Sequence, residues 1–247
     1  MSKFKIKSSV PYEIMLSEIG AAPIEAIAMV RLIRYLKRIE KMGGGRWPKV
    51  IFNEGMSERK KSWMIQNNKW MQKWNIYLNA CPTNSKESKN FVLEKFRKGI
   101  WGKELGRKKK YYVQEFNPTC DLQQKEYIGA SILWREKVLI AQLRTNSHQL
   151  RCETGRWKRP KEAWEERVCI FCTSGAVESE KHFTLECDAF RDIRDSYRSM
   201  LASITWHCLF SDGTIIRLGQ LIMNLSKKRI ELQKENNKEF GGLINYF

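Results

Sequence analysis

Apolar positions recur with helical spacing along most of this chain. Behind Pro23, Met29, Leu32, Leu36 and Ile39 share one side of a helical wheel while Arg31, Arg34, Arg38 and Lys41 occupy the other, which predicts a helix with a packing face and a basic face. Gly43, Gly44 and Gly45 are expected to stop it, and Arg46-Trp47-Pro48 to turn the chain away. A second helix is predicted over residues 57–78, where Trp63, Trp70, Trp74 and Tyr77 lie close together on the wheel. Such a stripe could stack on bases, but its large apolar area reads first as core. Residues 81–90, rich in Pro, Thr, Asn and Ser, read as a linker. Further on, Ile128, Ile132, Leu139 and Leu143 predict a helix over residues 124–143, and Phe190, Ile193, Tyr197 and Leu201 another. Ile215, Leu218, Ile222 and Leu225 predict a last helix with a charged tail around residues 227–239. The expected class is mainly α: a helical region over 1–80, a basic linker over 81–120, and a helical domain with a small zinc knuckle over 121–247.

Within that last region, Cys169, Cys172, His182 and Cys187 spell C-x2-C-x9-H-x4-C. A tetrahedral zinc ion takes four thiolate or imidazole donors, and a two-residue gap lets both thiolates of one turn reach the same metal. Thr173, Ser174 and Gly175 are turn formers suited to close a knuckle behind Cys172. The competing reading is that Cys169 and Cys172 are small buried apolar residues, since free cysteine is often buried. The second pair at short spacing argues for a structural Zn2+ instead. Nine residues before the histidine exclude a retroviral knuckle, and a closing cysteine excludes a C2H2 finger. His148 and His207, the other two histidines, are expected as surface or helix residues.

Composition narrows the class. With 247 residues, 42% hydrophobic and 11% aromatic, the chain holds enough apolar material for one or two cores and is no disordered tail. Seven cysteines scattered from Cys81 to Cys208 lack the dense, even framework of a secreted scaffold, so a reducing compartment, nucleus or cytoplasm, is expected. No apolar run suits an export signal or a membrane span. The net charge is +18, of which residues 1–120 supply +15 (25 basic, 10 acidic) and residues 121–247 supply +3 (20 basic, 17 acidic). Such an excess attracts polyanions and makes their binding salt-sensitive, although it also serves solubility.

Two basic stretches stand out. Residues 95–110 carry eight basic groups and one acid, ending in Arg107, Lys108, Lys109 and Lys110, with Phe96, Trp101, Tyr111 and Tyr112 interleaved. Basic groups neutralise phosphates while aromatic faces accept unstacked bases, but a charge run also reads as a solvated loop or a nuclear import signal. Residues 144–161, just before the first cysteine pair, carry six basic groups and one acid. Arg144, Arg151, Arg156, Trp157, Lys158 and Arg159 are the expected contacts to RNA or DNA there. Asp188, Asp192 and Asp195 look like a metal cluster, but Arg191, Arg194 and Arg198 between them predict ion pairs instead.

These segments resemble a known family. LRTNSHQLRCETGRWKRP at 143–160, then ERVCIFC, ESEKHFTLEC and AFRDIRDSY, are similar in order and type to the region behind the polymerase of LINE-type (non-LTR) retrotransposon reverse transcriptases. EIGAAPIEAIAMVRLIRYLKRI at 18–39 resembles the helical stretch past their thumb, and RLGQLIMNL their closing helix. The resemblance implies that Cys169, Cys172, His182 and Cys187 ligate zinc in a tail that binds template RNA or target DNA, beside a polymerase domain of the parent element. Glu153 and Glu180 would be supporting acids. The chain has five aspartates with no two adjacent, so the paired carboxylates of a polymerase palm are lacking and no enzyme activity is expected. The alternative is a zinc-stabilised helical module that meets an acidic protein partner.

Overall fold

A computed structural model describes residues 5–57, 63–102, 105–202, 204–210 and 214–239. The chain is mainly helical, as expected: α1 (Tyr12–Ile19), α2 (Ile24–Glu40), α3 (Trp47–Ser57), α4 (Trp63–Lys73), α5 (Ser85–Trp101), α6 (Arg107–Phe116), α7 (Glu126–Gly129), α8 (Trp134–Arg144), α9 (Arg151–Thr154), α10 (Arg191–Asp195), α11 (Arg198–Leu201) and α12 (Ile215–Glu239). The helices group into two compact units. Of the described residues, one unit takes those up to Ile19, Lys108–Pro118 and those from Gln124 to 239; the other takes those within Gly20–Arg107 and Thr119–Gln123. None of the described helices is long and apolar enough to cross a membrane.

In the unit centred on α2, the predicted amphipathic helix forms and buries Ala26, Met29, Val30, Ile33 and Leu36 against Met64 and Met71 of α4 and Val92 and Phe96 of α5. Trp74 stacks on Phe96 at 3.9 Å between ring centres. Gly99 permits that contact, because a Cβ there would sit 2.6 Å from the indole ring. The linker expected over 81–120 is instead largely helical. Asn84 accepts the Lys86 N–H at 2.8 Å and so starts α5, the polar cluster being a helix cap rather than a connection. The turn expected at Arg46-Trp47-Pro48 opens α3, where proline in the first turn removes no helical hydrogen bond. The helix predicted over 57–78 is described only as α4. Trp70 and Trp74 pack on the core, whereas Trp63 and Tyr77 are half exposed.

In the other unit, α8 and α12 pack closely, and a Cβ on Gly219 of α12 would lie 3.2 Å from Glu136 of α8. Glu136 accepts the Leu133 N–H at 3.0 Å and caps α8. The helix expected over 124–143 is interrupted, since α7 ends at Gly129 and α8 begins at Trp134. The helix expected after Cys187 is also broken, into a 3-10 turn at Asp188–Phe190, α10 and α11. Asp188 and Asp195 pair with Arg191 at 2.7 Å and Arg198 at 2.9 Å, two of the expected ion pairs, whereas Arg194 donates to the Cys187 carbonyl instead.

The largest departure is Arg144. Expected at a nucleic-acid surface, it is 3% exposed, and its Nε lies 3.0 Å from both Glu18 oxygens. Tyr112 and Tyr127 each donate to Glu18 at 2.6 Å, and Arg144 also donates to the Phe116 carbonyl at 3.3 Å. Burial alone would push the Glu18 carboxyl up, but Arg144 and the two phenols outweigh it and hold the carboxyl below its ordinary value. This network ties α1, α6, α7 and α8 together.

Candidate metal centre

The segment that carries the ligands has little regular structure, so local turns place the side chains. Val168 and Val177 form an antiparallel bridge, with Cys169 N–H bonded to Ala176 O at 2.8 Å and Glu178 N–H to Arg167 O at 3.0 Å. Gly175 reverses the chain with φ +68°, a conformation that glycine adopts without strain. This loop presents Cys169 and Cys172. His182–Glu186 then forms a π turn closed by Cys187 N–H to His182 O at 2.8 Å. In an α-helix, residues five apart point roughly 140° away from one another. The wider turn overcomes that offset and brings His182 and Cys187 to one side.

The outcome is one compact cluster. Ligand atoms of Cys169, Cys172, His182 and Cys187 all lie within 4.8 Å of one another and can hold a metal ion. Cys169 Sγ is 3.7 Å from Cys187 Sγ, and Cys172 Sγ is 3.4 Å from His182 Nε2. Burial pushes the Cys169 and Cys187 thiols up. It would raise Cys172 too, but hydrogen bonds from Ser174 bring that thiol below its ordinary value. Burial lowers His182, favouring the neutral ring that a metal ligand requires.

Buried charges frame the cluster. Glu178, 1% exposed, accepts Arg229 of α12 at 2.7 Å and 3.1 Å and the Arg151 N–H at 2.8 Å. Arg167 is buried and donates to the Cys152 and Glu162 carbonyls at 2.8 and 2.7 Å. Gly155 makes room for its stem, since a Cβ there would meet the Arg167 chain at 2.7 Å. Arg194 donates to the Cys187 carbonyl, and its Nη1 is buried without a hydrogen-bond partner.

His148 is not the surface or helix residue expected. It is buried, with Nε2 2.6 Å from Glu180 Oε1 and Nδ1 accepting the Leu150 N–H at 3.2 Å. Cys152 lies beside this pair, where burial pushes its thiol up, but both ring nitrogens of His148 already carry hydrogen bonds within the protein. The trio is a structural lock, and Glu180, which also accepts Tyr111 at 3.1 Å, is a structural acid. So is Glu153, paired with Arg156 at 2.8 Å and Lys108 at 3.3 Å. The side chain of His207 lies outside the described residues.

Most of the expected nucleic-acid contacts are engaged within the protein. Besides Arg144, Arg151 pairs with Glu162 at 2.9 Å and Lys109 with Glu13 at 2.7 Å. Lys158 pairs with Glu162 at 2.6 Å but stays exposed. Trp157, Arg159, Arg107 and Lys110 are exposed, Trp157 at 60%. The missed residues are Arg167, Arg194, Arg229, Glu178 and Glu18; each is an ordinary charged position in sequence, and only tertiary contact singles it out. No protein-family profile, curated protein or solved structure matches the chain.

Proposed function

We infer that this chain is a nucleic-acid-binding module organised by one structural zinc ion. The carrying observation is the Cys169, Cys172, His182, Cys187 cluster. Zinc with Zn–S bonds of about 2.3 Å sets neighbouring sulfurs roughly 3.8 Å apart at the tetrahedral angle, close to the 3.7 Å between Cys169 and Cys187. Three thiolates and an imidazole select zinc over the hard cations, and four protein donors fill its coordination shell, so the ion shapes the fold and leaves no position for an activated water. The net charge of +18 supports a polyanionic partner, and the resemblance to the post-polymerase tail of LINE-type retrotransposon proteins supports RNA or DNA.

The zinc site itself carries one net negative charge, because three thiolates exceed the two charges of the ion. Arg194, donating to the Cys187 carbonyl with a further buried N–H group, offsets that charge. Arg194→Leu is expected to weaken zinc affinity about 10- to 100-fold, as removal of outer partners does at other metal sites. Competition with a zinc chelator measures it, and unchanged affinity would remove Arg194 from this role.

With Arg144 buried and Arg151, Arg156, Lys108 and Lys109 paired, the nucleic-acid contact on this unit contracts to Trp157, Arg159 and the outer part of Lys158, with Lys110 as a further charge. Stacking of one base on Trp157 contributes about 1–3 kcal/mol. Trp157→Ala with Arg159→Gln is therefore expected to weaken binding of single-stranded RNA about tenfold or more with zinc content unchanged. Equal affinity by fluorescence anisotropy would place the interface elsewhere.

One observation favours the protein-interaction reading. Helices α2, α3 and α4 leave Ile24, Trp47, Ile51 and Trp63 exposed at 50% or more. Salt-insensitive association with a protein and no RNA binding would establish that reading over the one preferred.

A further inference from the structure

The basic face of α2 borders a cavity of about 250 Å³ in the unit centred on that helix. Arg34, Lys37, Arg38 and Lys41 form one side, and Thr83, Ser85 and Ser88 the other. Among the described residues no carboxylate lines it; Glu40 and Glu87, on the same two helices, are not part of the lining. Lys37 donates to the Pro82 carbonyl at 2.9 Å and Arg34 to the Ser85 carbonyl at 3.1 Å, so these two cations fasten α2 to the start of α5. Arg38 and Lys41 enter no ion pair among the described residues. Arg34, Arg38 and Lys41 are exposed and Lys37 is half-buried, so water screens the four like charges, and an anion placed among them would meet several cations at once.

We propose that this cavity binds a phosphate group, carried by the backbone of a polynucleotide. The lining supplies guanidinium and ammonium groups and the Thr83 and Ser85 hydroxyls, with no aromatic or aliphatic side chain, while Ser88 donates its hydroxyl to the Pro82 carbonyl; this donor set suits phosphate oxygens. The volume is below the roughly 300–1,000 Å³ of pockets that enclose whole small-molecule ligands, so the site fits a small anionic group on a larger molecule. Residues 34 to 41 span about 10 Å along the helix axis, a row longer than one phosphate needs and suited to a chain of them. Ser85 is the first residue of α5, and the N–H groups of that helix start add partial positive charge. The polynucleotide as source rests on the function proposed above; the affinity for phosphate does not.

The test uses the zinc-loaded full chain and the variant Arg38→Gln with Lys41→Gln, which removes two cations that hold no ion pair in the fold. Lys69→Gln with Lys227→Gln, both exposed and outside the cavity, controls for total charge. Inorganic tripolyphosphate is titrated calorimetrically, and a labelled 20-nucleotide oligo-uridine by anisotropy over a range of salt. The cavity variant is expected to lose tripolyphosphate binding about tenfold, and its log–log salt slope for the oligonucleotide should be shallower by about 1.4, at about 0.7 per phosphate contact on a single strand. The control should change neither. Tripolyphosphate loss with an unchanged oligonucleotide slope would keep the phosphate site and overturn the polynucleotide source. An oligonucleotide that fails to bind even the wild-type chain, with tripolyphosphate loss intact, would defeat the proposed function and the polynucleotide source together while the phosphate site stands. Absent tripolyphosphate binding, or equal binding in both variants, overturns the site.

Discussion

Stripping the proposed zinc ion with a strong chelator, or substituting Cys172→Ser, is expected to unfold the chain around residues 169–200 and leave α2 to α5 folded. Apart from its ligands, the knuckle has little regular structure: a backbone bridge at Val168 and Val177, aromatic contacts of Phe190 with Phe183 at 5.4 Å and Phe171 at 6.2 Å, and the polar ties of Glu178 to Arg229 and Glu180 to His148, which hold its rim and not its centre. Structural zinc supplies roughly 10–16 kcal/mol of apparent binding energy in small finger peptides, as much as the whole stability of an ordinary domain. Without it, three thiols and an imidazole within 4.8 Å of one another offer only weak S–H hydrogen bonds. The unit centred on α2 keeps its own core of Met29, Ile33, Val92 and Phe96. Amide exchange resolved by segment should show protection lost around the knuckle and retained over α2 and α5, while Cys208→Ser leaves both unchanged. Protection that survives complete zinc removal would show that the four side chains need no ion to converge.

The ligand set was legible in sequence because its geometry is local. A C-x2-C turn and a histidine five residues before a cysteine place donors through short-range backbone conformation, and Gly175 marks the loop reversal. The amphipathic α2 was legible for the same reason. Residues 81–90 were not, because Asn and Ser in a polar cluster mark a helix start as readily as a connection; Asn84 caps α5, and Ser88 is buried four residues on.

Charge misled where its partner is distant. Residues 144–161 show one acid beside six basic groups, yet Arg144 meets Glu18 from 126 residues upstream; in the stretch 95–110, Lys109 likewise meets Glu13. A local count of charge cannot distinguish a solvated guanidinium from a buried one, because the neutralising carboxylate is brought in by the fold. Glu178 and Arg229 illustrate the same limit, being 51 residues apart and joined beside the knuckle.

The second large effect follows from that buried pair. Glu18→Gln is expected to destabilise its unit by about 3–5 kcal/mol, the usual cost of breaking a buried ion pair from one side. Arg144 would keep its charge at 3% exposure, under the rings of Phe116 and Phe210 at 5.1 and 5.5 Å, with no anion to balance it. A glutamine has one acceptor oxygen where Arg144, Tyr112 and Tyr127 now share two carboxylate oxygens, and its amide N–H groups would face donors. Arg144→Lys with Glu18 intact should also be destabilised, because an ammonium cannot reproduce the contacts of a planar guanidinium with both Glu18 oxygens and the Phe116 carbonyl. The pH dependence fixes the cause. Glu18 is held below its ordinary value in the folded protein, so its contribution is fully present above the unfolded value of about 4.5 and is lost as pH falls through the folded one. The gap between wild type and Glu18→Gln in urea unfolding should thus be complete at pH 7 and narrow as the solution is acidified below pH 4.5. A gap of equal size at pH 7 and pH 3 would assign the loss to packing rather than to charge. Arg144→Met in the Glu18→Leu background should be less destabilised than either single change, and RNA affinity per folded molecule should stay at the wild-type value, which a phosphate-contacting arginine would not allow.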